Sequence, residues 1–236
     1  MRQIVLSLVL FLAAFGVAAA DDFVGKYSAT GVDPLDRNYQ AEVQIEQLGK
    51  LHVVLWKLKD GAAYKGFGIR QGDKIGVGYG AADTKFGIAV YKVNGGTLEG
   101  VWADSRDLKS ELGKETLEGS PDLSGTYKVT LGQNRDGITN YSGTIEIKRT
   151  GNTFVFYWPI AKPPTLGVGV LLDDMLVVAY SSNPEKLPGV VAYKTSDADT
   201  LDGIWAALGV KKNSSGSYNI APPKKAGTET LKRQPQ

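Results

Sequence analysis

The sequence predicts an all-β protein of two tandem repeats, each about 100 residues long and each an eight-stranded antiparallel meander barrel. Three observations carry this expectation. The 236-residue chain can be written as one unit used twice; apolar and polar residues alternate with a period of two; and 29 Gly, 10 Pro and 11 Tyr indicate short strands and tight turns.

The repeat is read first. Gly25-Lys26-Tyr27 aligns with Gly125-Thr126-Tyr127, and Tyr39 to Ile45 with Tyr141 to Ile147. Further on, Gly66-Phe67-Gly68 aligns with Gly167-Val168-Gly169, Tyr79 with Tyr180, and Tyr91-Lys92 with Tyr193-Lys194. LEGVW at Leu98 to Trp102 returns as LDGIW at Leu201 to Trp205, and GKETL at Gly113 to Leu117 returns as GTETL at Gly227 to Leu231. All four Trp fall at matched positions, Trp56 with Trp158 and Trp102 with Trp205. The repeats span 22–119 and 122–236, joined through Gly119-Ser120-Pro121-Asp122. The second carries an insertion over 209–225, rich in Lys, Ser, Asn and Pro and without apolar periodicity, which reads as a surface loop.

Within the first repeat the strands fall near 23–32, 38–47, 51–59, 63–71, 74–81, 85–93, 97–103 and 113–118. Tyr39, Ala41, Val43 and Ile45 share one face against Gln40, Glu42, Gln44 and Glu46, the pattern of a strand with one dry side. Turns such as Lys59-Asp60-Gly61 and Asn94-Gly95-Gly96 join neighbours as hairpins. Closure into a barrel removes the exposed edges of an open sheet, which favours two barrels over the alternative of two β-sandwiches.

The chain opens with Met1-Arg2-Gln3, an apolar run from Ile4 to Val17, and Ala18-Ala19-Ala20 before Asp21-Asp22. This reads as a signal peptide over 1–20 with cleavage after Ala20, placing the mature chain outside the cytoplasm, secreted or periplasmic, with no membrane insertion after cleavage. Lys and Arg number 27 against 25 Asp and Glu, so the charge is +2, and +1 once Arg2 is removed (26 against 25); neither nucleic acid nor an anionic membrane is implied as a partner. Without Cys there are no disulfides, and stability must come from buried apolar area.

No segment carries a catalytic or cofactor signature, and we expect no cofactor, metal or catalytic residue. His52 is the sole His and its repeat partner is Phe154, which favours packing over chemistry. Gly76-Val-Gly-Tyr-Gly80 lies in a strand pattern with no helix after it, so it is strand packing rather than a phosphate loop. Asp173-Asp174 and Asp197-Ala-Asp199 are turn residues without calcium-loop spacing. Glu115 and Glu229 recur in one setting, either as an acid pair or as carboxylates satisfied by tyrosine hydroxyls or backbone amides.

The candidate ligand-binding residues are Trp56, Trp102, Trp158 and Trp205, which serve either as core or as ligand platforms, and Lys211, Lys212 and Tyr218 in the insertion, a basic stretch suited to an acidic protein or polysaccharide. The pattern of Tyr141 to Ile147, Trp158, Gly167-Val-Gly169, Tyr193, LDGIW and GTETL resembles secreted bacterial proteins labelled fibronectin-binding, a resemblance that implies adhesion to an extracellular protein. In strand count alone the unit also looks like avidin-type and lipocalin-type barrels. The expected function is a secreted, non-catalytic binding module that holds an extracellular or periplasmic protein, or a small ligand. The alternatives are a carboxylate-based hydrolase and a structural envelope protein.

Overall fold

The computed structural model describes residues 23–159, 161, 163–212, 218–221 and 223–235, with 210–212 and 218–221 described in their backbone only. The signal peptide expected at 1–20 lies outside the described residues. Every regular element among the described residues is a strand, and sixteen of the strands, numbered in chain order, close into two antiparallel barrels of eight. The first barrel contains β1 (Gly25–Val32), β2 (Asn38–Leu48), β3 (Leu51–Leu58), β4 (Ala63–Gln71), β5 (Lys74–Gly80), β14 (Gly189–Asp197), β15 (Thr200–Ala207) and β18 (Gly227–Arg233). The second contains β6 (Gly87–Asn94), β7 (Thr97–Asp104), β8 (Gly113–Glu118), β9 (Gly125–Gln133), β10 (Gly143–Thr150), β11 (Thr153–Trp158), β12 (Thr165–Leu172) and β13 (Met175–Ser181).

Two barrels form, as the repeat predicts, but the unit that closes is not the unit that repeats. The repeat boundary at 119–122 falls between β8 and β9, which pair as neighbours inside the second barrel. The chain leaves the first barrel after β5, completes the second as a meander from β6 to β13, and returns at β14. β5 pairs with β14 and β13 with β6, with Val77 opposite Val191 and Val177 opposite Val90. Each barrel therefore takes five strands from one repeat and three from the other. Pairing within a repeat and pairing across repeats join equivalent edges, so local pattern does not separate them.

Alternation decides which side chains point inward. Along β2, Ala41, Val43 and Ile45 are buried and Gln40, Glu42 and Glu46 are exposed. The strands at the seam differ, because one face fills a barrel and the other packs on the neighbouring barrel. On β13, Leu176 and Val178 enter the core of the second barrel while Met175, Val177 and Ala179 join a third core shared with Phe67, Ile69, Val190 and Ala192 of the first. Phe67 stacks on Phe86 across this seam with centroids 5.0 Å apart. The Gly76-to-Gly80 run belongs here. A Cβ on Gly76 would lie 2.6 Å from Val177, and one on Gly78 would lie 2.9 Å from Phe86. Since Gly76 and Val177 are repeat partners, a hole in one copy receives a knob from the other.

Each barrel is filled at one end. In the first, the Tyr27 hydroxyl donates to the Phe23 carbonyl at 2.9 Å, Arg233 lies 5.0 Å over the Tyr27 ring, and buried His52 meets Phe23 edge-on at 6.2 Å. His52 stands at this filled end, at the start of β3. The insertion expected as a loop over 209–225 holds a hairpin of β16 (Gly209–Lys212) and β17 (Tyr218–Ala221), because two short arms satisfy each other's backbone groups without needing an apolar pattern.

Candidate ligand sites in the two barrels

At the other end of each barrel the inward positions turn polar-tipped and aromatic. β8 and β18 show how the Gly-x-Glu-x-Leu repeat does this. Its first, third and fifth residues face inward, so Leu117 and Leu231 enter the core, Glu115 and Glu229 sit above them, and Gly113 and Gly227 lie toward the mouth. The glycines are seats for rings: a Cβ on Gly113 would overlap Trp102, and one on Gly227 would overlap Trp205. Gly100 and Gly203 of the LEGVW and LDGIW motifs seat Tyr91 and Tyr193 in the same way. The recurring Gly and Trp of these motifs are thus one packing device, in which a bare backbone lets a flat ring lie against the neighbouring strand.

In the first barrel, Glu229 accepts hydrogen bonds from Tyr39 at 3.0 Å, from Trp56 Nε1 at 3.3 Å, and from Tyr193. Tyr79, Trp205 and Tyr64 extend the wall: Trp56 and Tyr79 centroids lie 5.6 Å apart, Tyr64 and Tyr79 5.7 Å, and Tyr39 and Trp205 6.1 Å. Together they bound a cavity of about 860 Å³. In the second barrel, Glu115 accepts from Tyr91 at 2.5 Å and from Tyr141 at 3.0 Å, and Trp158 lies 5.3 Å from Tyr180. With Trp102 these line a cavity of about 300 Å³.

Both clusters cross the repeats. Tyr39, Trp56 and Tyr79 of the first repeat meet Tyr193, Trp205 and Glu229 of the second, and the second barrel mirrors this. The four tryptophans therefore come together as Trp56 with Trp205 and Trp158 with Trp102, each pair beside a cavity. Lys211, Lys212 and Tyr218 lie on the β16–β17 hairpin, with their side chains outside the described residues. The two glutamates expected as a possible acid pair occupy different barrels, and each is satisfied by tyrosine hydroxyls, the second of the two expectations. Tyr39, Tyr79 and Tyr193, with their mates Tyr141, Tyr180 and Tyr91, are the site residues that sequence reasoning aligned but did not assign. Their signal is a polar-tipped residue at inward parity in both copies.

Burial pushes both glutamate carboxyls above the usual carboxylate range, and the phenol and indole donors pull them partly back. Burial, with the neighbouring glutamate charge, likewise raises Tyr39, Tyr141, Tyr91 and Tyr193, so these phenols keep their protons and remain donors. The partners of both glutamates among the described residues are neutral. The Trp102 and Trp205 indole N–H groups are shielded from solvent, each against the hydroxyl of Tyr141 or Tyr39, without completing a hydrogen bond of good geometry. Each site thus offers a carboxylate, phenol donors and indole faces. The acidic turn at Asp173-Asp174 is occupied by lysines instead, with Lys194 at 2.8 Å and Lys74 at 3.0 Å.

The raised carboxyls have a signed consequence for stability. A native value above the unfolded 4.5 means that the folded chain binds the proton more tightly, so this contribution is complete below 4.5 and is lost as pH rises through the native value. The groups facing Glu229 are Tyr39, Trp56, Tyr79 and Tyr193, and those facing Glu115 are Tyr91, Tyr141 and Tyr180. Urea denaturation should show the wild type losing stability relative to the double variant E115Q E229Q as pH rises above 4.5. Parallel curves would show that the carboxylates ionise at no cost.

No protein-family model and no curated protein matches the chain.

Proposed function

We propose that this is a secreted or periplasmic, non-catalytic binding protein that holds a small ligand in the mouth of a barrel, with the first barrel as the principal site. The observation that supports it is the cavity of about 860 Å³ walled by Tyr39, Trp56, Tyr64, Tyr79, Tyr193 and Trp205 above Glu229. Its size, and its aromatic walls around Glu229 with charged groups at the rim, suit a drug-sized molecule. A barrel of eight strands is either filled by its own side chains or holds one small ligand, and here the filled and open ends occur in one barrel. The location outside the cytoplasm rests on the sequence of the first 20 residues.

Titration with the neutral dye N-phenyl-1-naphthylamine tests the reading, because all four tryptophans line the cavities and transfer excitation to a dye bound there. Saturable energy transfer is expected. Ala207→Trp, which places a ring at the mouth of the first barrel, should weaken binding about tenfold or more while leaving the melting temperature within a few degrees. A dye that does not saturate, or that ignores the substitution, would contradict the assignment.

A further inference from the structure

We propose that the cavity of the first barrel selects ligands bearing an organic cation, an ammonium or alkylammonium group held between aromatic faces and the Glu229 carboxylate. This rests on the reading that the cavity holds a small ligand and adds the chemical class.

Three features of the site converge on it. Both Glu229 oxygens are used as acceptors, Oε1 by Tyr39 and Oε2 by Tyr193 and Trp56, and Trp56 Nε1 can only donate. A buried carboxylate surrounded by neutral donors lacks the countercharge that burial of a charge ordinarily requires, and a ligand cation supplies it. The walls are the second feature. Ring faces of Trp and Tyr attract cations through their quadrupoles, and the attraction grows when water is excluded. The rim is the third. The lining carries five carboxylates, Asp33, Asp60, Asp83, Glu185 and Glu229, against two cations, Arg37 and Lys186. Both cations are engaged by rim aspartates, Arg37 by Asp33 at 2.6 Å and Lys186 by Asp83, so neither serves Glu229.

The second barrel is an internal control. It keeps the same floor, but Asp33 is replaced by Asn134 and Tyr64 by Thr165, its cavity is about 300 Å³, and Glu115 is the sole carboxylate among its lining residues. The departures that widen, acidify and add a ring to the mouth are confined to the first barrel. Two of its rim carboxylates and Lys186 come from the two connections between the barrels, which the second barrel does not use for its lining: Asp83 from the connection of β5 to β6, and Glu185 and Lys186 from that of β13 to β14. The strand exchange that builds the barrels thus also charges this mouth.

The test is calorimetric titration of the mature full chain with three indoles that differ in charge: tryptamine, tryptophol and indole-3-acetate. Choline against its neutral isostere 3,3-dimethyl-1-butanol repeats the comparison without an indole. The cationic member of each set should bind about tenfold or more tighter than the neutral one, and indole-3-acetate weakest. Glu229→Gln should erase most of that preference while the neutral dye still binds. Tyr64→Thr, at an exposed position that leaves folding intact even if E229Q does not fold, should weaken the cation about fivefold. Neutral or anionic members binding as well as the cations, or the dye binding where no cation does, would overturn cation selection and leave the ligand-holding reading standing. Failure of the dye as well would remove both.

Discussion

Cleavage at a protease site placed within Gly119–Asp122 leaves the two halves of the chain bound to each other, and a disulfide between positions 28 and 232 ties them covalently. Ser28 and Lys232 are exposed partners on β1 and β18, strands from different repeats that pair in one barrel. The chain has no native Cys to compete, so S28C K232C should oxidise cleanly, and the cut protein should run as one band without reductant and two with it. If each repeat closed on itself, β1 would pair with β8, the two cysteines would lie in different barrels, and the cut protein would run as two bands in either case. The first half expressed alone should yield no folded monomer. It lacks β14, β15 and β18, which leaves β1 and β5 as open edges and exposes the apolar seam around Phe67 and Ile88.

Gly203→Ala should lower stability by about 3 kcal/mol, roughly 6–12 °C in melting temperature, and abolish ligand binding in the first barrel. A Cβ there would overlap Cδ1 of Tyr193, lie 2.7 Å from Cε1, and lie 3.1 Å from the Ala192 carbonyl. The ring cannot withdraw freely, since its hydroxyl is held by Glu229 and the residue is fully buried. Displacing it strains the core and removes a donor from a buried carboxylate at once. Gly100→Ala repeats the clash against Tyr91, whose hydroxyl is held by Glu115, so it should cost a similar amount while sparing dye binding in the first barrel. Differential scanning calorimetry with dye titration separates the two variants. Wild-type stability in G203A would mean that the ring is free to move.

Much of this architecture is legible in the chain itself. Alternation along β2 and its mate β10 identifies the inward face residue by residue, and the matched Trp, Gly-x-Glu-x-Leu and LEGVW segments identify the unit. The reading of Glu115 and Glu229 as carboxylates satisfied by tyrosine follows from inward parity and the scarcity of other partners. The hairpin at β16 and β17 was hidden because its arms are only four residues each, too short to show an alternating pattern in a stretch rich in Lys, Ser and Asn. The seam was half visible: Leu176 to Tyr180 and Val190 to Tyr193 are apolar in both parities, the mark of strands covered on two sides, yet nothing local says by what.

By itself the sequence determined the barrel strands, their inward faces and the number of barrels, because these depend on side-chain parity and turn chemistry within a few residues. Which edge meets which was decided only in the tertiary structure. Backbone ladders are alike for equivalent strands of two repeats that share one pattern, so Trp56 shares a cavity with Trp205 rather than Trp102 only through long-range closure of β5 on β14. That closure brings Gly76 under Val177, opens the first mouth to both connecting segments, and makes two sites from one repeated pattern.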